Sequence, residues 1–180
     1  MKKLIVAIAL SSASLTEQAA AQGGIPLWER AIAQDKSFSI ETPCTTGVVE
    51  QLRQAPADLL KGVSLPPQSR VACATSQLIL VAGAVEGRSG KTSMFDLAVS
   101  DARADPTAEG SPSLTSINGH RAYLIRQTEG NRVAQSGFVE LSPNKIVLLM
   151  AGARPETTLT VEDQGAIIDK FYQSLRIGAK

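Results

Sequence analysis

The chain is poor in the residues on which most catalytic and binding chemistries depend. Among 180 residues there is one histidine, one tryptophan and two cysteines, and the aromatics together make up 4%. A His/Cys metal site needs three or four ligands, which this set does not supply. So few aromatic rings give no stacking platform for nucleic-acid bases. Excess charge is also lacking, with 18 Lys+Arg against 17 Asp+Glu. The near-neutral balance leaves no electrostatic footprint for nucleic acid or an anionic membrane surface. No apolar run approaches the ~20 residues that span a bilayer. The spacings C-x-x-C and G-x-S-x-G are absent, which removes a thioredoxin-like dithiol and a nucleophile elbow.

The N-terminus carries a clear pattern. Lys2 and Lys3 precede the apolar run Leu4–Leu10, and Ala19-Ala20-Ala21 follows as a small-residue cleavage site. Residues 1–21 are expected to be a signal peptide, cleaved between Ala21 and Gln22, with 22–180 forming one domain. No cysteine follows the apolar run, so lipoprotein processing there is not expected. Cleavage removes Lys2, Lys3 and Glu17, leaving 159 residues with 16 charges of each sign. That length buries a core without help. The expected location is periplasmic or secreted, in a bacterium, with no stable membrane insertion after cleavage. In an exported chain an even cysteine count suggests a disulfide between Cys44 and Cys73; two separate buried thiols are the alternative.

Hydrophobic periodicity sets the elements. Leu27–Gln34 and Ser37–Thr42 alternate and read as a hairpin turning at Asp35-Lys36, with Phe38 and Ile40 inward and Ser37, Ser39 and Glu41 outward. Thr45–Gln68 is irregular, with possible helical turns at Val49–Arg53 and Asp58–Lys61, and Pro56, Pro66 and Pro67 forbid one long helix. Arg70–Thr75 and Leu78–Glu86 are strands; the second is apolar on both faces, as a covered strand is. Ser93–Asp105 fits a strand or a helix, and Ser93 with Asp96 in a capping-box-like pair favours helix. Pro106–Pro112 reads as a turn-rich loop and Leu114–Ile117 as a short strand. Asn118-Gly119 signals a hairpin turn. Arg121–Thr128, Arg132–Leu141 and Lys145–Gly152 are antiparallel strands, with Ile146–Ala151 continuously apolar and therefore central. Thr160 and Asp163 open a helix over Val161–Ser174, striped by Ile167, Ile168, Phe171 and Tyr172. Two helices and seven or eight hairpin-linked strands define an α+β domain: an antiparallel sheet with helices packed on both faces.

Trp28 on the first strand, Phe38–Pro43 (FSIETP) on the second and Phe171–Ile177 (FYQSLRI) at the end together resemble the PsbP-like fold. That fold is shared by the extrinsic PsbP subunit of photosystem II, a Ran-binding nuclear import factor and small exported bacterial proteins. The resemblance implies an α/β/α sandwich and a protein-binding or assembly role rather than catalysis. It carries no catalytic residues onto this chain. A Cys44–Cys73 disulfide would suit the exported bacterial members.

The residues that suggest chemistry have simpler readings. His120 follows the Asn118-Gly119 turn and is expected at a strand start, solvated. Gly87–Thr92 (GRSGKT) mimics a phosphate loop, but Val85 stands where the first glycine of that motif is required. Ser142-Pro143-Asn144-Lys145 matches S-x-x-K only as a hairpin turn. Asp101 with Asp105, and Glu162 with Asp163, suit helix surfaces and ends. Arg126 and Arg132 are each expected to pair with Glu140 across the hairpin. No catalytic, cofactor-binding or metal-ligating residue is assigned, and no cofactor. The expected function is a non-enzymatic envelope protein that binds another envelope protein and not nucleic acid. A small-molecule or lipid carrier and an unrecognised hydrolase are the alternatives. A functional surface is expected at Thr45–Gln68, Gly87–Thr92 or Asn118–Arg121.

Overall fold

The computed structural model describes residues 27–53, 65–87, 92–105 and 109–178. The expected signal peptide with its Ala21/Gln22 cleavage site, the Asp58–Lys61 turn and most of the Gly87–Thr92 loop lie outside the described residues. In chain order the elements are β1 (Glu29–Ile32), β2 (Phe38–Thr42), α1 (Thr46–Arg53), β3 (Arg70–Ala74), β4 (Leu78–Glu86), α2 (Met94–Ala104), β5 (Ser111–Ile117), β6 (His120–Glu129), β7 (Arg132–Ser142), β8 (Lys145–Ala153), α3 (Val161–Gln173) and β9 (Arg176–Ile177). The class is α+β. The strands form two antiparallel sheets rather than the single sheet expected from the hairpin count: three strands ordered β1-β2-β9, and six ordered β3-β4-β8-β7-β6-β5.

The two strands that are apolar on both faces pair with each other at the middle of the larger sheet, in the register Leu80↔Ala151 and Ala82↔Leu149. Alternation then sorts their side chains between two cores. Val147 and Leu149 face Ile168, Phe171 and Tyr172 of α3 in one buried cluster. Ile146 and Leu148 face the other way, where Phe95 and Val99 of α2 pack with Tyr123 and Phe138. The helices therefore cover opposite faces. Burying a side chain such as Phe171 stabilises the fold by roughly 1.5–3 kcal/mol. On β7, a Cβ at Gly137 would collide with the carbonyl of Tyr123, so only glycine lets β6 and β7 close up there.

Both long helices start as their sequence suggests. The Ser93 hydroxyl accepts from the Asp96 N–H at 3.1 Å, and the Thr160 hydroxyl accepts from the Asp163 N–H at 3.1 Å. Inside α3, Gln164 is fully buried. Its carbonyl oxygen accepts from the Val133 N–H at 2.8 Å, and its amide donates to the carbonyls of Asn131 and Leu159 at 2.8 Å each. This one side chain pins the helix to the β6–β7 turn.

The small sheet departs from the sequence reading. After the helix, Arg176–Ile177 forms a further strand that the periodicity did not indicate: β9 pairs with β2, Phe38 opposite Ile177. Ser39 does face away from Phe38 and Ile40, yet it is buried. Arg30 covers it, donating at 3.2 Å to both the Ser39 hydroxyl and the Ser174 carbonyl. Cys44 and Cys73 are joined as a disulfide with Cα atoms 5.7 Å apart, tying the end of β2 to β3. Buried Arg53 on α1 reinforces that link, donating to the carbonyls of Arg70 at 3.1 Å and Ile32 at 2.9 Å. Among the described residues no helix is long and apolar enough to cross a membrane.

Candidate functional site

The Asn118–Arg121 turn is occupied by structural work. Asn118 (φ 51°) and Gly119 (φ 82°) both adopt the left-handed conformation of a primed two-residue hairpin turn. The Asn118 amide donates to the Gln173 carbonyl at 3.0 Å and the Leu175 carbonyl at 2.5 Å, capping α3. His120 is half-buried at the start of β6, opposite Ile117. Arg121 pairs with Asp96 at 2.5 Å and Glu140 at 3.4 Å, and its guanidinium lies 4.5 Å from the centre of the Phe95 ring. The hydrogen bond from Arg121, with that from Ser93, holds the Asp96 carboxyl below the usual carboxylate range. Pairs this exposed are screened by solvent and contribute little to stability.

The two expected partners of Glu140 are elsewhere. Arg126 donates to the Gln135 side chain at 2.5 Å and to Asp169 of α3. Strand alternation explains the difference, since Arg126 faces α3 whereas Glu140 and Arg121 face α2. Arg132 pairs with Glu129 across its own turn at 2.9 Å, because Glu140 lies eight residues further along the same strand. Ser142–Lys145 closes the β7–β8 hairpin, and Asp163 and Asp105 sit at helix ends. A second polar cluster joins Asp35 to Ser37, Ser69 and Lys145. Burial raises the Asp35 carboxyl, but hydrogen bonds from Ser37 and Ser69 and the Lys145 charge bring it below its ordinary value. Among the described residues no group of three His, Cys, Asp or Glu side chains is gathered as a metal site would require.

What the sequence did not mark is that the short strand read at Leu114–Ile117 is longer and ends the larger sheet. β5 pairs with β6 along its whole length and, among the described residues, with no other strand. It begins at Ser111, inside the stretch that reads as the Pro106–Pro112 loop. Six of its seven residues are exposed, and Leu114 is 57% exposed. The Asn118-Gly119 turn fixes which backbone groups are free. In such a hairpin Ile117 and His120 form the closing hydrogen-bonded pair, and bonded and non-bonded pairs alternate from there. Thr115 and Ser113 therefore bond to β6, while Ser116, Leu114 and Pro112 direct their backbone outward. Pro112 sits where its missing N–H breaks no bond within the sheet.

Beside this edge, on the α2 side, lies a shallow cleft of about 170 Å³ lined by Arg103, Pro112, Tyr123 and Ile125 among others. Arg103 reaches over the Tyr123 ring, 5.8 Å from its centre, and Tyr123 stacks on Phe138 with centroids 6.2 Å apart. Leu114 is directly opposite Tyr123 in the register, so it stands on the same face. Chemically, the site offers backbone donors and acceptors, one exposed leucine and a rim that carries Arg103 and Asp105. It fits the recognition of an extended segment.

No family model matches the chain, and no curated protein does. A solved structure from Bacteroides thetaiotaomicron VPI-5482 is similar to it with a TM-score of 0.45 and 9% identity, covering 82% of this chain. The chain spans about half of that protein, 47% of its length.

Proposed function

We propose that this chain is an exported, non-enzymatic protein-binding module of the bacterial envelope, and that β5 is its docking strand. The observation that carries the reading is the free, exposed backbone edge at Leu114 and Ser116. An exposed edge is a template for strand addition, one of the ways a sheet recognises an extended partner, and Pro112 limits the free stretch here to Leu114 and Ser116. The adjacent cleft supports it: about 170 Å³ is below the ~300–1,000 Å³ of small-molecule pockets and suits a side chain of a docked strand. Export rests on Lys2–Ala21 and agrees with the Cys44–Cys73 link. A PsbP-like sandwich is the architecture we assign, supported by α2 and α3 on opposite faces and by the convergence of Phe38–Pro43 and Phe171–Ile177 at the small sheet. A photo-crosslinking side chain at position 114, expressed in cells, tests the role. Covalent adducts with protein are expected, and adding Ser116→Pro should abolish them. Recovery of no protein adduct would contradict the proposal.

A further inference from the structure

The three asparagines of the chain, Asn118, Asn131 and Asn144, stand in the successive hairpin turns of the larger sheet, and only Asn118 is followed by glycine. We propose that Asn118-Gly119 is a self-modification site and that the Asn118 cap on α3 is the catch that holds it shut. The reaction needs no enzyme. The Gly119 backbone nitrogen gives its proton to solvent and attacks Cγ of the Asn118 side chain. An N–Cγ bond forms, the Cγ–Nδ2 bond breaks, and Nδ2 leaves as ammonia with the returned proton. Water then opens the cyclic imide at either carbonyl. One opening gives aspartate; the other gives isoaspartate, whose main chain carries an extra carbon. One water enters, one ammonia leaves, and no electron is transferred.

The nucleophile is unhindered. Glycine puts no side chain beside its nitrogen, and a Cβ built on Gly119 would meet nothing within 4 Å. Both residues are exposed, so water reaches them. Ile117 and His120 close the turn, which leaves the Gly119 N–H outside the ladder. The leaving atom, by contrast, is engaged. Nδ2 is the donor to the Gln173 carbonyl at 3.0 Å and the Leu175 carbonyl at 2.5 Å. Its departure breaks both bonds, so cyclisation waits for the turn to come off the helix in a local opening. The product cannot restore the cap. A carboxylate only accepts hydrogen bonds, and here it would face two carbonyl oxygens. Isoaspartate also lengthens a two-residue turn whose backbone is matched to its strands. Each conversion therefore frees the β5–β6 turn from α3 for good.

Peptide mapping by mass spectrometry, on purified protein held at mildly alkaline pH in buffer and in urea, tests the proposal. Aspartate and isoaspartate should accumulate at position 118 ahead of Asn131 and Asn144. The folded chain should convert about fivefold more slowly than the unfolded chain, because opening costs about one typical hydrogen bond. That rate should stay level as urea rises toward the unfolding midpoint, as a local opening requires. Asn118→Asp, which carries the product side chain, should unfold at lower urea than the native chain. Equal rates in the folded and unfolded chains would show that no catch exists. Conversion that begins only with global unfolding would show that the catch is the whole fold and not the cap. Either result overturns the proposal, as would conversion at Asn131 or Asn144 that keeps pace with Asn118, or an Asn118→Asp variant as stable as the native chain.

Discussion

The side-chain amide of Asn118 caps the final helix, donating to the carbonyl of Leu175 at 2.5 Å while also holding the Gln173 carbonyl. The β5–β6 turn and the end of α3 are thereby locked together, although 57 residues separate Asn118 from Leu175. Asn118→Gly keeps the left-handed backbone but removes the cap. It should cost about 1 kcal/mol, the worth of a typical hydrogen bond. Asn118→Ala should cost more, since alanine disfavours positive φ. Urea unfolding of the two variants distinguishes the contributions.

Gln164 makes three bonds from a fully buried position. Gln164→Leu keeps the volume but strands the Val133 N–H and two carbonyls. A loss of about 3 kcal/mol is expected from the cost of unsatisfied buried groups. Denaturant midpoints read it directly. A loss below that of the Asn118 variant would contradict the pinning role.

The Cys44–Cys73 disulfide spans a sequence separation of 29. Closing such a loop stabilises by roughly 3–4 kcal/mol in the chain-entropy model. A Cys44→Ala/Cys73→Ala variant should lose that amount in urea unfolding. The reduced native protein should lose a similar amount.

Tyr172 is fully buried in the α3 core, and burial pushes its phenol well above the ordinary tyrosine value. Its hydroxyl donates toward the Gln135 carbonyl at 2.7 Å and the Leu149 carbonyl at 3.0 Å. Because the folded value is raised, the folded state retains a proton that the unfolded chain releases. Stability from this group is complete below about pH 10 and falls as pH rises above it. Absorbance titration should show a tyrosine that ionises only with alkaline unfolding. Tyr172→Phe should remove that component.

Much of this fold can be read from the chain because its strongest signals are local. The strand Leu78–Glu86, the helix start at Thr160 and the hairpin turn at Asn118-Gly119 each depend on a few adjacent residues. Ser93 with Asp96 decides helix over strand for the same reason. The features that escaped are tertiary. β9 exists only because β2 lies beside it, and Ser39 is buried only because Arg30 folds over it. The ion pairs of Arg126 and Arg132 depend on sheet face and strand position. The docking edge is hardest to foresee, since α2 carries the chain from β4 across to the far side of the sheet. Nothing in Ser-Pro-Ser-Leu states that this strand will be the outermost.

Hydrogen exchange at single amides of β5 tests the docking strand most directly. The amides of Ser113, Thr115 and Ile117 should be protected at every concentration, because they bond to β6. Those of Leu114 and Ser116 should exchange freely in the isolated chain and become protected when an envelope partner docks. If Leu114 and Ser116 still exchange freely in the presence of envelope extract, β5 is not a docking strand.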